Sequence, residues 1–219
     1  MKDFLLILIY WIAAYKIVFF FICLFLSLAL GFLIRNKKAK MLSALPGIIA
    51  FLNMFLGASQ ASKLIYRYGE KGQGKVVAME QTSSQYNDQW IYKYSVLLRK
   101  ADGSIVETAF YSDDFMMYPV PDNGYNYPAE GMEFELRYVK SKPGAFVIVT
   151  DGESAYSQQQ RCTEAVIQMS TAKSKYDFDT ASPAYKQEYL NGIQRYLDMG
   201  CVSDTNTRRY YRKEMEKLQ

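Results

Sequence analysis

Two long apolar stretches open the chain: Phe4 to Ile34, interrupted only by Lys16, and a second run from about Met41 to Ala61. Each exceeds the roughly 20 residues that a helix needs to cross a hydrocarbon core of about 30 Å, so the pattern predicts two transmembrane helices. A cleaved signal peptide is the competing reading of the first stretch. Its apolar run is too long for one, and no A-x-A site follows Leu30.

From residue 72 the period changes. Val76 to Glu80, Trp90 to Arg99, Ile105 to Tyr111, Met132 to Tyr138 and Ala145 to Thr150 are short runs rich in β-branched and aromatic residues. Turn chemistry separates them, as in Asp102-Gly103, Asn123-Gly124 and Lys142-Pro143-Gly144. In the longest run Trp90, Tyr92, Tyr94, Val96 and Leu98 share one face. The expected fold is a small five-stranded β-barrel or sandwich.

Residues 154 to 219 turn helical. Cys162, Ala165, Val166 and Met169 keep a helical stripe, as do Tyr189, Ile193, Tyr196 and Leu197. Ser182-Pro183 is a start signal, Gly200 a stop, and a last helix should begin near Ser203 or Asp204 and run to Leu218. Cys162 within the first of these helices and Cys201 just after the second would clasp the pair as a disulfide; two free buried thiols are the alternative. The predicted class is an α+β membrane protein in three parts: residues 1–66 a transmembrane hairpin, 67–152 a β-domain, 153–219 a C-terminal helical subdomain.

Charge supplies orientation. Residues 1–65 carry seven Lys/Arg against Asp3 alone, whereas the remainder carries 19 Lys/Arg and 21 acids. The net charge of +4 is therefore a membrane-flank signal, and no nucleic-acid partner is expected. Arg35, Lys37, Lys38 and Lys40 crowd the connection between the spans, and short cationic loops stay cytoplasmic. The C-terminal domain should then be extracytoplasmic (periplasmic) on a bacterial inner membrane, a compartment that also suits the disulfide.

The order Gly74-Lys75-Val76-Val77, a tyrosine-bearing strand ending at Leu98, Asp102-Gly103-Ser104, Gly131-Met132, Phe134-Glu135-Leu136-Arg137-Tyr138, then Pro143 and Phe146-Val147-Ile148 resembles a bacterial family of membrane-anchored β-domains, domain of unknown function 3592. In that family a G-x-V strand, a D-G hairpin and a G-x-x-[VF]-x-V-x-Y strand with a Pro-containing turn follow one or two transmembrane helices. The resemblance covers residues 72–150. It implies an envelope location and a fold, and no catalytic residues. The loop from Ser112 to Pro128 is longer than the family pattern, and the C-terminal region lies outside it.

The chain has no histidine, which removes Ser-His and Cys-His pairs, histidine acid-base chemistry and most zinc sites. Asp113, Asp114, Asp122 and Asn123 could offer oxygens to calcium, but they lack EF-hand spacing and read as a solvated loop, so neither metal nor cofactor is expected. Tyr111, Tyr118, Tyr125 and Tyr127 flank that loop and are candidates for a protein-binding surface; tyrosines folded over the barrel mouth are the plainer reading.

A length count singles out one more segment. Lys16 lies 19 residues from Arg35, about 28 Å along a helix, so residues 17–34 suffice to span and Phe4 to Tyr15 are surplus. An apolar segment of this kind must lie in the interface, dock on its own domain or enter a partner, which makes Phe4, Leu6, Ile9 and Trp11 further binding candidates. The expected function is non-enzymatic: a membrane-anchored envelope protein that meets lipid through its spans and binds another protein through its extracytoplasmic domain. It would serve as a complex subunit or as an immunity protein against an envelope-acting toxin. The alternatives are a structural homo-oligomerising membrane subunit and an enzyme without a recognisable site.

Overall fold

The computed structural model describes residues 2–34, 36, 41–114, 116–122, 124–202 and 204–218. The orienting cations Arg35, Lys37, Lys38 and Lys40, the loop residue Asn123 and the proposed helix start Ser203 lie outside the described residues.

The first apolar stretch is helical almost throughout but broken once, giving α1 (Lys2–Ala14) and α2 (Lys16–Leu33) on either side of Tyr15. A 3₁₀ turn, Met41–Ala44, leads into α3 (Leu45–Tyr68), whose first turn holds Pro46 where its missing N–H is not needed. Two helical segments, Lys16–Leu33 and Met41–Tyr68, are long and apolar enough to cross a membrane.

Small residues let the helices approach. The Gly47 N–H donates to Ser27 Oγ at 3.0 Å, and a Cβ on Gly47 would stand 3.3 Å from that same oxygen. Nearer the break, Asn53 Nδ2 donates to the Ile12 carbonyl at 3.1 Å, satisfying a last-turn acceptor of α1. Gly57 makes that reach possible, since a Cβ there would come within 2.5 Å of Asn53 Oδ1.

Strands β1 (Glu70–Tyr86), β2 (Gln89–Arg99), β3 (Ile105–Tyr111), β4 (Met117–Tyr118), β5 (Glu133–Val139) and β6 (Lys142–Val149) form one mixed sheet in the order β3-β2-β1-β5-β6-β4. Five strands were expected, and the sixth, β4, pairs parallel to β6 at Met117↔Ile148. Two residues carry no period, which is why this strand has no signature in the sequence. The order leaves β3 and β4 as edges among the described residues. The sheet curls enough to bring Phe110 of β3 edge-on to Phe146 of β6 at 5.9 Å, without a hydrogen-bonded ladder between those strands.

Alternation sorts the core. Tyr94, Val96, Leu98, Phe110, Phe134, Leu136, Phe146 and Ile148 are buried, and Gly74 faces the Phe134 ring so closely that no Cβ fits. The run Ala145 to Val149 is buried at every position because β6 is covered on both sides. Its second side, Ala145 and Val147 with Val139 of β5, packs against Leu6 of α1 and Ile65 of α3.

The chain divides into two compact units, Met1–Val120 with Tyr125–Gly152, and Glu153–Gln219 with Pro121–Gly124. The β-domain and the three N-terminal helices thus share a single unit.

The second unit holds α4 (Ala155–Phe178), α5 (Pro183–Asp198) and α6 (Thr205–Leu218). Side-chain oxygens cap all three: Ser154 accepts from Ser157 N–H, Ser182 from Tyr185 N–H and Asp204 from Thr207 N–H. The Thr207 N–H and hydroxyl, with the Asn206 N–H, hold the Asp204 carboxyl below its usual range. Gly200 takes φ +69° just past α5, a conformation that costs glycine little. Met169, Ala172, Tyr189, Ile193 and Leu218 form the core. The Tyr189 hydroxyl is buried there without a hydrogen-bond partner among the described residues, and burial pushes its phenol up to about 12. The Cys162 and Cys201 sulfurs stand at disulfide distance, 2.14 Å, with Cα atoms 5.3 Å apart. Beside them Gln158 Nε2 donates to the Met199 carbonyl at 2.8 Å.

Non-reducing mass spectrometry should link the Cys162 and Cys201 peptides, and Cys201→Ala should destabilise the helical unit by about 4 kcal/mol in the chain-entropy view; free thiols without reduction would refute the bridge. Leu6→Ala should lower the stability of the β-domain by about 2–5 kcal/mol in a denaturant titration in detergent. Phe4→Ala should change it by less than about 0.5 kcal/mol.

Candidate functional site

The inward face of β2 is longer than the core that covers it. Tyr94, Val96 and Leu98 are buried, whereas two and four residues earlier on the same face Tyr92 is half-buried and Trp90 is 44% exposed. Beyond the covered part of the sheet these side chains wall an open groove of about 840 Å³. Its rim is the β1–β2 turn, where Asn87 and Asp88 take φ of 49° and 60°. Asn and Asp accept that left-handed backbone more readily than other non-glycine residues, as a two-residue hairpin turn requires.

The opposite wall comes from the segment after β3 and from the strand-free stretch around Tyr125 to Tyr127. Ser112 is tied to β2 twice: its N–H donates to the Tyr92 carbonyl at 2.9 Å, and its Oγ accepts the Tyr92 N–H at 3.1 Å. Asp114 Oδ2 accepts the Tyr111 N–H at 2.7 Å, closing the turn that presents Asp113 to the groove. The aromatic floor is a continuous stack. Tyr94 lies parallel to Phe110 at 4.7 Å, Tyr127 tilts against both at 5.6 and 5.0 Å, and Tyr125 stacks on Tyr127 at 6.4 Å. Burial raises the Tyr94 and Tyr125 phenols above the ordinary tyrosine value, so both are neutral at physiological pH.

Of the four candidate tyrosines, Tyr125 and Tyr127 line this groove and the other two do not. Tyr111 is exposed on β3, and Tyr118 of β4 packs on Tyr66 of α3 at 5.0 Å beneath the sheet. Tyr86, Trp90 and Tyr92, which belong to the groove, were not singled out from the sequence. The signal that could have found Trp90 and Tyr92 is the length of the β2 apolar face, five alternate residues where a short strand buries three.

The N-terminal candidates divide as well. Leu6 is buried against Ile65, Val139 and Val147 of its own unit, which removes it from any contact with a partner. Ile9 is half-buried. Phe4 is exposed, and Trp11 stacks on Tyr15 at 4.7 Å with Lys142 Nζ 3.7 Å from its ring centre. Asp3 accepts a hydrogen bond from Ser141 Oγ, tying the start of α1 to the β5–β6 turn.

Among the described residues no three Cys, Asp or Glu side chains converge as a metal site, and Asp122 belongs to the other compact unit from Asp113 and Asp114. Compared with known proteins, the chain matches no family model, no curated protein and no solved structure.

Proposed function

We propose that this is a non-enzymatic, membrane-anchored envelope protein whose aromatic groove is the seat for a protein partner. The observation that carries the reading is the groove itself: stacked tyrosines and an exposed tryptophan are costly to leave in water, and such side chains are rigid, amphipathic contact residues. Exposed aromatics on a monomer of this size mark an interaction surface more often than a defect of packing.

In this reading α2 and α3 cross a bacterial inner membrane, with the Arg35–Lys40 connection cytoplasmic and the β-domain and helical tail periplasmic. The likeness of residues 72–150 to the membrane-anchored β-domain family agrees with that placement and rests on the residue pattern alone. The partner is a subunit of a membrane complex or a toxin acting outside the cytoplasm, which the protein would neutralise as an immunity protein. A homo-oligomerising role is the second reading, favoured by the exposed apolar side chains Phe4, Leu5 and Leu8 on the outer face of α1.

A reporter fused after Gln219 should be active only outside the cytoplasm, and protease added to spheroplasts should digest the β-domain; protection until the membrane is opened would reverse the topology. Trp90→Ala and Tyr125→Ala should each weaken partner association about tenfold, near 1.4 kcal/mol, in a crosslinking or pull-down titration while leaving the fold intact. Tyr118→Ala should instead destabilise the sheet, since its ring is packed on Tyr66.

A further inference from the structure

The chain is basic, with 26 Lys and Arg against 22 Asp and Glu. Its groove is not. Asp88 on the rim and Asp113 on the wall are the charged side chains among the described lining residues, and neither lysine nor arginine joins them. The same groove is lined by the aromatic side chains Tyr86, Trp90, Tyr92, Tyr125 and Tyr127. An aromatic face carries negative potential, which attracts a cation placed over it, and neighbouring carboxylates add to that attraction.

The other ligand chemistries fit less well. An anionic segment would meet two carboxylates and no counter-charge. A purely apolar helix or acyl chain would strip water from Asn87, Gln89 and Asn126 as well as from the two acids, without supplying hydrogen bonds in return. The open shape suits an extended chain rather than an enclosed small molecule.

We propose that the groove takes an extended basic segment of the partner protein, its lysine or arginine side chains lying over the tyrosine and tryptophan rings with Asp88 and Asp113 as counter-charges. This rests on the reading of the groove as a protein seat and names the chemistry of what enters it. The same chain already makes the elementary contact elsewhere, where Lys142 Nζ stands over the Trp11 ring. Burial raises the Tyr125 phenol, which stays neutral at physiological pH and so offers a π face and a hydroxyl without adding charge of its own.

The test uses the full chain in a neutral detergent with Trp11→Phe, which leaves Trp90 as its one tryptophan. Hexa-arginine should change Trp90 fluorescence saturably, with apparent affinity falling at least about tenfold on raising NaCl to about 0.5 M. The double variant Asp88→Asn with Asp113→Asn keeps side-chain size and should bind hexa-arginine at least about fivefold more weakly. No response to hexa-arginine, or an equal response to hexa-glutamate, overturns the proposal. A response to chitohexaose in place of hexa-arginine also overturns it and assigns the groove to a neutral glycan. If Trp90→Ala and Tyr125→Ala still weaken partner association while hexa-arginine does not bind, the protein seat stands and only its basic ligand falls. If hexa-arginine binds and those variants leave the partner unaffected, the cation site stands and the partner seat lies elsewhere.

Discussion

Leu6 and Ile65 packing against Val139, Ala145 and Val147 is the contact on which the first unit depends. A curled sheet of this size buries one face on itself, but β6 from Ala145 onward is apolar on both faces, and Val139 at the end of β5 extends its second face; uncovered, these side chains would stand in water. Leu6 of α1 and Ile65 near the C-terminal end of α3 supply the missing layer. The helical arms are long enough to do so: Lys2 to Leu33 measures about 48 Å and Met41 to Tyr68 about 42 Å at helical rise, against a hydrocarbon core of about 30 Å. One face of α1, through Leu6, and the end of α3, through Ile65, are therefore core for the β-domain, which is joined to the helices by packing as well as by the chain.

The helical stem has to be rigid and internally satisfied. The Gly47 N–H to Ser27 Oγ bond places a polar contact where a membrane would offer none, and Asn53 satisfies the Ile12 carbonyl at the end of α1. The polar edge of the stem holds the β5–β6 turn through the Asp3–Ser141 bond and through Lys142 over Trp11 and Tyr10. With its base fixed in this way, the sheet can extend β1 and β2 past the covered core. The uncovered ends of those strands, joined by the Asn87-Asp88 turn, become one wall of the groove. The site is thus a by-product of strand length exceeding core length, stabilised by the Tyr94, Phe110 and Tyr127 stack beneath it.

The sequence by itself determined the parts governed by local period and local caps. Two apolar runs, alternating strands and the Ser182-Pro183 start are each written within a few neighbouring residues, and the corresponding helices and strands are present. The groove was half legible: Tyr125 and Tyr127 stood out by density, while Trp90 and Tyr92 were absorbed into a strand face that looked uniformly like core. Periodicity reports which side of a strand a residue occupies and says nothing about where the covering layer stops. Only the tertiary structure decided that limit, because it depends on how far the sheet curls to bring β6 against β3. It also decided the fate of residues 4–15. Composition marks them as unable to stand free in water, but lipid, partner and own domain are equivalent solvents for a leucine. Only the face that carries Leu6 takes the third, on Val139 and Val147, while Phe4, Leu5 and Leu8 stay exposed; that choice follows from a two-sided apolar β6 more than 130 residues along the chain, a distance at which no sequence pattern couples the two.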